Sequence, residues 1–128
     1  MKNEEGIKKN LSGKNDLPER TTNYALRIIR LYAAISKNTI GEIIGKQFLR
    51  SGTSVGANYR ESCRARSRAE FTSKLGIVLQ ELDETDYWLE LLAKSKTISA
   101  SRLSDLRKET DELIAIFVSS INTAKSRK

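Results

Sequence analysis

The chain has 128 residues, a net charge of +7, 38% hydrophobic residues and 30% charged ones. That length suits one domain, and a charge-rich, apolar-poor balance suits amphipathic helices better than a strand-based core. With no histidine and a single cysteine, the chain lacks the commonest general base and metal ligand, any Ser–His or Cys–His pair, and any internal disulfide, so an enzyme is not expected.

No apolar run approaches the ~20 residues that span a bilayer. The opening stretch "MKNEEGIKKNLSGKND" is polar throughout, so no secretory leader or membrane contact is expected. A lone thiol fits a reducing compartment, and the expected location is the cytoplasm. The basic balance favours a polyanionic partner such as RNA or DNA, although many basic proteins bind neither.

Residues 1–16 mix Lys, Asn, Gly and Glu without periodicity and read as a disordered tail. A first helix is predicted over 17–37. Asp16 stands as its cap and Pro18 in its first turn, and Tyr24, Ile28, Leu31, Tyr32 and Ile35 form a one-sided apolar stripe. A second helix is predicted over 40–65, with Ile40, Ile44, Phe48, Val55 and Tyr59 on one face. "SRAE" then reads as a capping box, in which Ser67 and Glu70 satisfy each other's backbone N–H groups.

The third helix, 68–95, carries the strongest pattern. Phe71, Leu75, Val78, Leu82, Thr85, Leu89 and Leu92 alternate steps of four and three, the seam of packed helices. Ile77, Leu79, Trp88 and Leu91 lie off that seam, which predicts burial by more than one neighbour. A fourth helix, 100–122, is predicted behind a Ser99 cap, with Leu103, Leu106, Thr110, Leu113, Phe117 and Ser120 in the same rhythm. Residues 125–128 read as a basic tail. Four helices with short connections predict an all-α, antiparallel up-down four-helix bundle over 17–124, a single domain.

Gly41, Gly45, Gly52 and Gly56 are spaced 4, 7 and 4 residues apart, within roughly 60° of one another on a helix. Each destabilises a helix interior by about 1 kcal/mol relative to Ala. The gain that offsets this is close approach by another helix, within the subunit or between subunits. A phosphate loop is excluded, because "GTSVGAN" lacks the glycine spacing and the Lys-Ser or Lys-Thr pair such a loop requires.

Other chemistry is thin. Cys63, near Arg60, Arg64 and Arg66, reads as a small packing residue rather than a reactive thiol. Glu81, Asp83, Glu84, Asp86 and Glu90 read as a solvated or interface face, since a di-metal bundle site uses Glu-x-x-His motifs that cannot exist here. No cofactor and no metal is expected.

Charge is segregated along the chain. Arg50 to Arg68 carries five arginines and one Glu, whereas Glu70 to Glu90 carries six acids and one Lys. If the second helix persists, Arg60, Arg64 and Arg68 form a ridge at the helix two–three turn, with Arg50 further back. These arginines, with Arg66, suit phosphate contacts, and they equally suit pairing with the acidic face of helix three. Tyr59 is the one aromatic read as near them, which gives base stacking little support.

The stretch "GANYRESCRARSRAEFTSKLGIVLQEL" resembles the four-helix-bundle family named for 23S rRNA intervening sequences. Ala57, Asn58 and Glu61, then Arg66, Ser67, Glu70 and Phe71, then Leu75, Ile77 and Glu81 match its landmarks. Ser62 departs from a usual Gly and Val78 from a usual Ala. The resemblance covers about residues 17–124 and implies a ring-shaped homo-oligomer, typically a pentamer. The chain is also similar to the accessory variability proteins of diversity-generating retroelements, which implies nucleic acid and a reverse transcriptase as partners.

The expected function is therefore a non-enzymatic homo-oligomer that binds structured RNA or an RNA–protein complex through Arg50, Arg60, Arg64, Arg66 and Arg68. The alternative is a protein-interaction scaffold whose arginines serve subunit contacts. Gly41, Gly45, Gly52, Gly56, Asn58, Glu61 and Trp88 are the expected helix-contact or oligomer residues.

Overall fold

The computed structural model describes residues 16–127. Four helices, α1 (Leu17–Ala33), α2 (Thr39–Ser62), α3 (Arg68–Lys94) and α4 (Ala100–Ser126), run antiparallel, up and down, as one bundle. No strand occurs among the described residues. The 1–16 tail expected from sequence lies outside them, apart from Asp16.

Caps define most of the helix starts. The Asp16 carboxylate accepts from the Glu19 N–H at 3.4 Å, Asn38 from the Gly41 N–H at 2.8 Å, and Ser67 Oγ from the Glu70 N–H at 3.0 Å. Two expected bonds are not made. Glu70 gives no return bond to Ser67, and Ser99 makes no side-chain cap at α4, its hydroxyl lying 3.3 Å from that of Ser101 instead.

The ends differ from the periodicity for local reasons. α1 stops before 37 because the Ala34 and Ile35 N–H groups turn back to Leu31 and Tyr32 at 3.0 and 3.1 Å, which folds Ile35 into the core. α3 ends with Lys96 at φ 60°. The Lys96 N–H bonds the Ala93 carbonyl and the Thr97 N–H bonds that of Leu92, both at 3.1 Å. These are the paired bonds of a Schellman turn, with lysine where glycine is usual. α4 continues to Ser126, so Lys125 is helical and does not belong to a tail.

The predicted seam forms the core. Leu75, Val78, Leu82, Leu89 and Leu92 of α3 meet Leu103, Leu113 and Phe117 of α4 and Phe48 and Val55 of α2, all at 0% exposure. Ile40 departs from its predicted face and is 60% exposed, because the α1–α2 turn beside it covers Gly41 instead. Buried polar groups are paired across helices. The Thr85 hydroxyl lies 2.8 Å from that of Ser51. Thr110 donates to the Leu106 carbonyl, so the Tyr24 hydroxyl at 2.6 Å donates to Thr110. Burial raises the Tyr24 phenol well above its ordinary pKa, so it remains a donor.

Helices consecutive in the chain pack most closely, and of the pairs in contact α1 and α4 touch least. Arg20 bridges that seam with a bidentate pair of 2.8 Å bonds to Glu109 and a further 2.8 Å bond to Glu112. On the opposite side of α1, the glycine row of α2 lies against it within the same chain. A methyl on Gly52 would stand 2.7–2.8 Å from Ile28, and one on Gly41 would collide with the Ser36 carbonyl. Gly45 and Gly56 face Tyr32 and Thr21 in the same row.

The acidic row of α3 is only half solvated. Burial, and then the charge of Asp111 on α4, push the Asp86 carboxyl above its usual range, opposed by Arg107. Among the described residues no group of three His, Cys, Asp or Glu could hold a metal ion.

This packing sets the expected outcome of three substitutions. In urea melts, Gly52→Ala should destabilise the bundle by about 1–2 kcal/mol, as overpacking outweighs better helix propensity. Gly76→Ala should stabilise by up to about 1 kcal/mol, because a methyl there meets nothing within 4 Å. A raised folded-state carboxyl binds its proton more tightly than in the unfolded chain, so ionised Asp86 opposes folding at neutral pH. Asp86→Asn should therefore raise the melting temperature at pH 7, with the gain shrinking as pH falls through the carboxylate range.

Candidate nucleic-acid interface

The ridge expected of Arg60, Arg64 and Arg68 is not a continuous helical feature. α2 ends at Ser62, and the Arg64 and Ala65 N–H groups fold back to the Glu61 and Ser62 carbonyls at 3.1 Å. Ser67 is then extended, at φ −151°, and starts α3. Arg60 therefore sits in the last turn of α2, Arg64 and Arg66 in the connection, and Arg68 at the first position of α3. The i, i+4, i+8 spacing does not place them in one row, because the second helix stops before Arg64.

Their engagements differ. Arg60 donates to Thr22 Oγ1 of α1 at 3.1 Å. Arg68 donates to the backbone carbonyl of Arg127, just beyond α4. Arg64 and Arg66 are exposed and have no hydrogen-bond or ion-pair partner among the described residues. The antiparallel topology brings Lys125 and Arg127 to the same end of the bundle, both exposed. No carboxylate lies between Glu61 and Glu70 in the chain, and Glu61 accepts from Lys74 at 3.1 Å.

Arg50 is set apart from this cluster. It lies mid-helix and pairs with Glu84 at 2.8 Å and Glu81 at 3.3 Å on α3. The pair is about half exposed, so its contribution to stability is about 0–1 kcal/mol. Its geometry nonetheless commits this arginine to the α2–α3 groove and not to the arginine end. Burial raises the Glu81 carboxyl above its usual range, with Arg50 opposing.

Other expected residues take local roles. Asn58 Nδ2 donates to the Ser54 carbonyl one turn back at 2.9 Å. Tyr59 packs its ring 5.5 Å from that of Phe117, so it faces the core and is not a stacking surface beside the arginines. Cys63 is exposed at the end of α2, contrary to the packing role expected for it, because the helix terminates there and its side chain leaves the glycine face.

Trp88 is partly buried against the core, 5.2 Å from the ring of Tyr87, and its indole N–H is buried without an acceptor among the described residues. Tyr87 is 53% exposed, and Ile43 on α2 is 62% exposed. Ile43 lies two turns before Arg50, and Trp88 one turn after Glu84. The helical period therefore puts both on the outer side of the α2–α3 pair. Periodicity could mark Trp88 as off-seam, but only the folded chain shows its orphaned donor.

Comparison with curated proteins gives no match. Among solved structures, the chain is similar to a protein of unknown function from the S23 ribosomal protein family of Bacteroides thetaiotaomicron VPI-5482. The identity is 38% over 82% of this chain and 97% of that one, with a TM-score of 0.77. The family model described as 23S rRNA-intervening sequence protein matches residues 14–119, which include α1 to α3, the arginine-bearing turn and α4 as far as Ser119. Shared fold, sequence identity and polar landmarks agree: the chain belongs to the 23S rRNA-intervening sequence protein family.

Proposed function

We propose that this chain is a non-enzymatic, homo-oligomeric bundle that binds RNA through the end formed by the α2–α3 turn and the α4 terminus. The observation that carries the reading is the state of Arg64 and Arg66, exposed and without a partner among the described residues, in a turn that contains no acid. Guanidinium forks match phosphate oxygens, and such contacts position a backbone without reading its sequence. Arg60, Arg68, Lys125 and Arg127 extend positive charge around the two free arginines. The family's name refers to 23S rRNA, which supports RNA over DNA.

Self-association, as a pentamer in the resemblance, is supported by a different surface. Ile43 and Tyr87 are large apolar side chains left exposed on the bundle surface, and a second copy would cover them. A ring would also repeat the arginine end once per subunit, so that weak phosphate contacts add through multivalency. The alternative, a protein-interaction scaffold, is favoured by Arg50, which is already committed to Glu81 and Glu84. It predicts that the turn arginines are likewise taken up between subunits.

Affinity for a structured RNA should fall steeply with salt. Arg64→Ala with Arg66→Ala should weaken binding and flatten the log–log salt slope by about 2, while Arg50→Ala leaves the slope unchanged. Unaltered binding by the double variant would overturn the RNA interface, and a change in its subunit count would favour the scaffold. Light scattering coupled to size exclusion should give a mass of more than one subunit for the wild type and a smaller one for Ile43→Glu. A monomeric wild type would exclude the homo-oligomer.

A further inference from the structure

At the arginine end, α3 and α4 leave an open groove of about 380 Å³ between them. Arg68 and Phe71 line it from α3, and Ser119, Ser120, Thr123 and Arg127 from α4 and its end. That volume falls within the range of small-ligand sites, roughly 300–1,000 Å³. No carboxylate lines it.

Each lining group has a definable capacity. The Arg68 guanidinium is held by one bond to the Arg127 carbonyl, which leaves its other N–H donors available. The Arg127 guanidinium is exposed and has no partner among the described residues. Ser120 Oγ donates to the Ile116 carbonyl at 2.9 Å, so toward the groove it can only accept. The Ser119 and Thr123 hydroxyls are exposed and unengaged, able to donate or accept. Phe71 is half-buried, packed on the core and also lining the groove.

A phosphate alone would use the cationic rim and nothing else. An aromatic wall, neutral hydroxyls and two guanidinium groups together match a nucleobase joined to its phosphate. A base locked in a duplex cannot enter such a groove. Building on the RNA interface proposed above, we infer that the groove takes one unpaired nucleotide, its base against Phe71 and its phosphate at Arg68 and Arg127. The strand would reach it along the turn that carries Arg64 and Arg66.

The test compares a single-stranded oligonucleotide with an abasic backbone of equal length and charge, by fluorescence anisotropy, with ribose and deoxyribose strands in parallel. The wild type should bind the base-bearing strand about tenfold more tightly than the abasic one, the usual scale of one aromatic–base contact. A base preference with either sugar supports the inference. Phe71→Leu should shrink the preference. So should Thr123→Leu, which fills the groove from an exposed position without changing charge, and circular dichroism confirms that both variants fold. Equal affinity for the two strands, or a preference that survives both variants, overturns the subsite and leaves the interface standing if the Arg64, Arg66 double variant still loses affinity. Failure to bind either strand or a structured RNA overturns both.

Discussion

The contact between Gly52 and Ile28 is the constraint on which the rest of the bundle depends. With no Cβ on that face of α2, the backbone of α2 comes to van der Waals range of the Ile28 side chain. Bringing α1 this close on one side orients α2 and directs Phe48, Ser51 and Val55 inward, all of them fully buried. It also leaves Arg50 on the edge nearest α3, where Glu81 and Glu84 meet it. The glycine row therefore settles indirectly which arginine is removed from the surface pool. Glycines within a helix are a real penalty, and the fold accepts it because a methyl at Gly41 or Gly52 would collide with α1 or the turn that follows it.

The same packing decides where charge collects. Antiparallel topology brings the α2–α3 turn and the end of α4 together, so residues more than fifty positions apart in the chain form one basic surface. Arg68 is bound to the carbonyl of Arg127 across that gap. Apart from Glu70 in the first turn, the acidic residues of α3 lie further along the helix and are partly occupied, Glu81 and Glu84 by Arg50 and Glu90 by Lys94 at 2.7 Å. Separation of the two charge blocks in sequence becomes separation of Glu81, Glu84 and Glu90 from the turn along the bundle axis, and Arg64 and Arg66 have no ion-pair partner among the described residues.

Much of the fold was legible in the sequence. The 4–3 rhythm of Leu75, Val78, Leu82, Leu89 and Leu92 identified core positions, because seam residues of a bundle repeat with the helical period whatever their partners are. Asp16 and Ser67 announced helix starts, since a cap depends on groups within four residues. Ser99 shows the limit of that logic: residue type permits a cap, but its hydroxyl turned to Ser101. The candidate site was less legible. Arg60, Arg64 and Arg68 looked like a ridge only while the second helix was assumed to continue, and termination at Ser62 dispersed them. Phe71 looked like an ordinary seam residue because its groove partners lie on α4, about fifty residues away. Cys63 changed from packed to exposed for the same reason that the ridge failed.

The sequence by itself determined the helical class, the number of helices, the buried seam and the absence of histidine chemistry, because each rests on local periodicity or on composition. Tertiary structure alone decided which helix the glycines serve, that Arg50 pairs while Arg64 and Arg66 stay free, that the Trp88 N–H lacks an acceptor, and that Phe71 borders a groove. Each of these depends on what a distant segment places opposite a side chain. Helical period can say which face a residue is on, but it says nothing of what that face will meet.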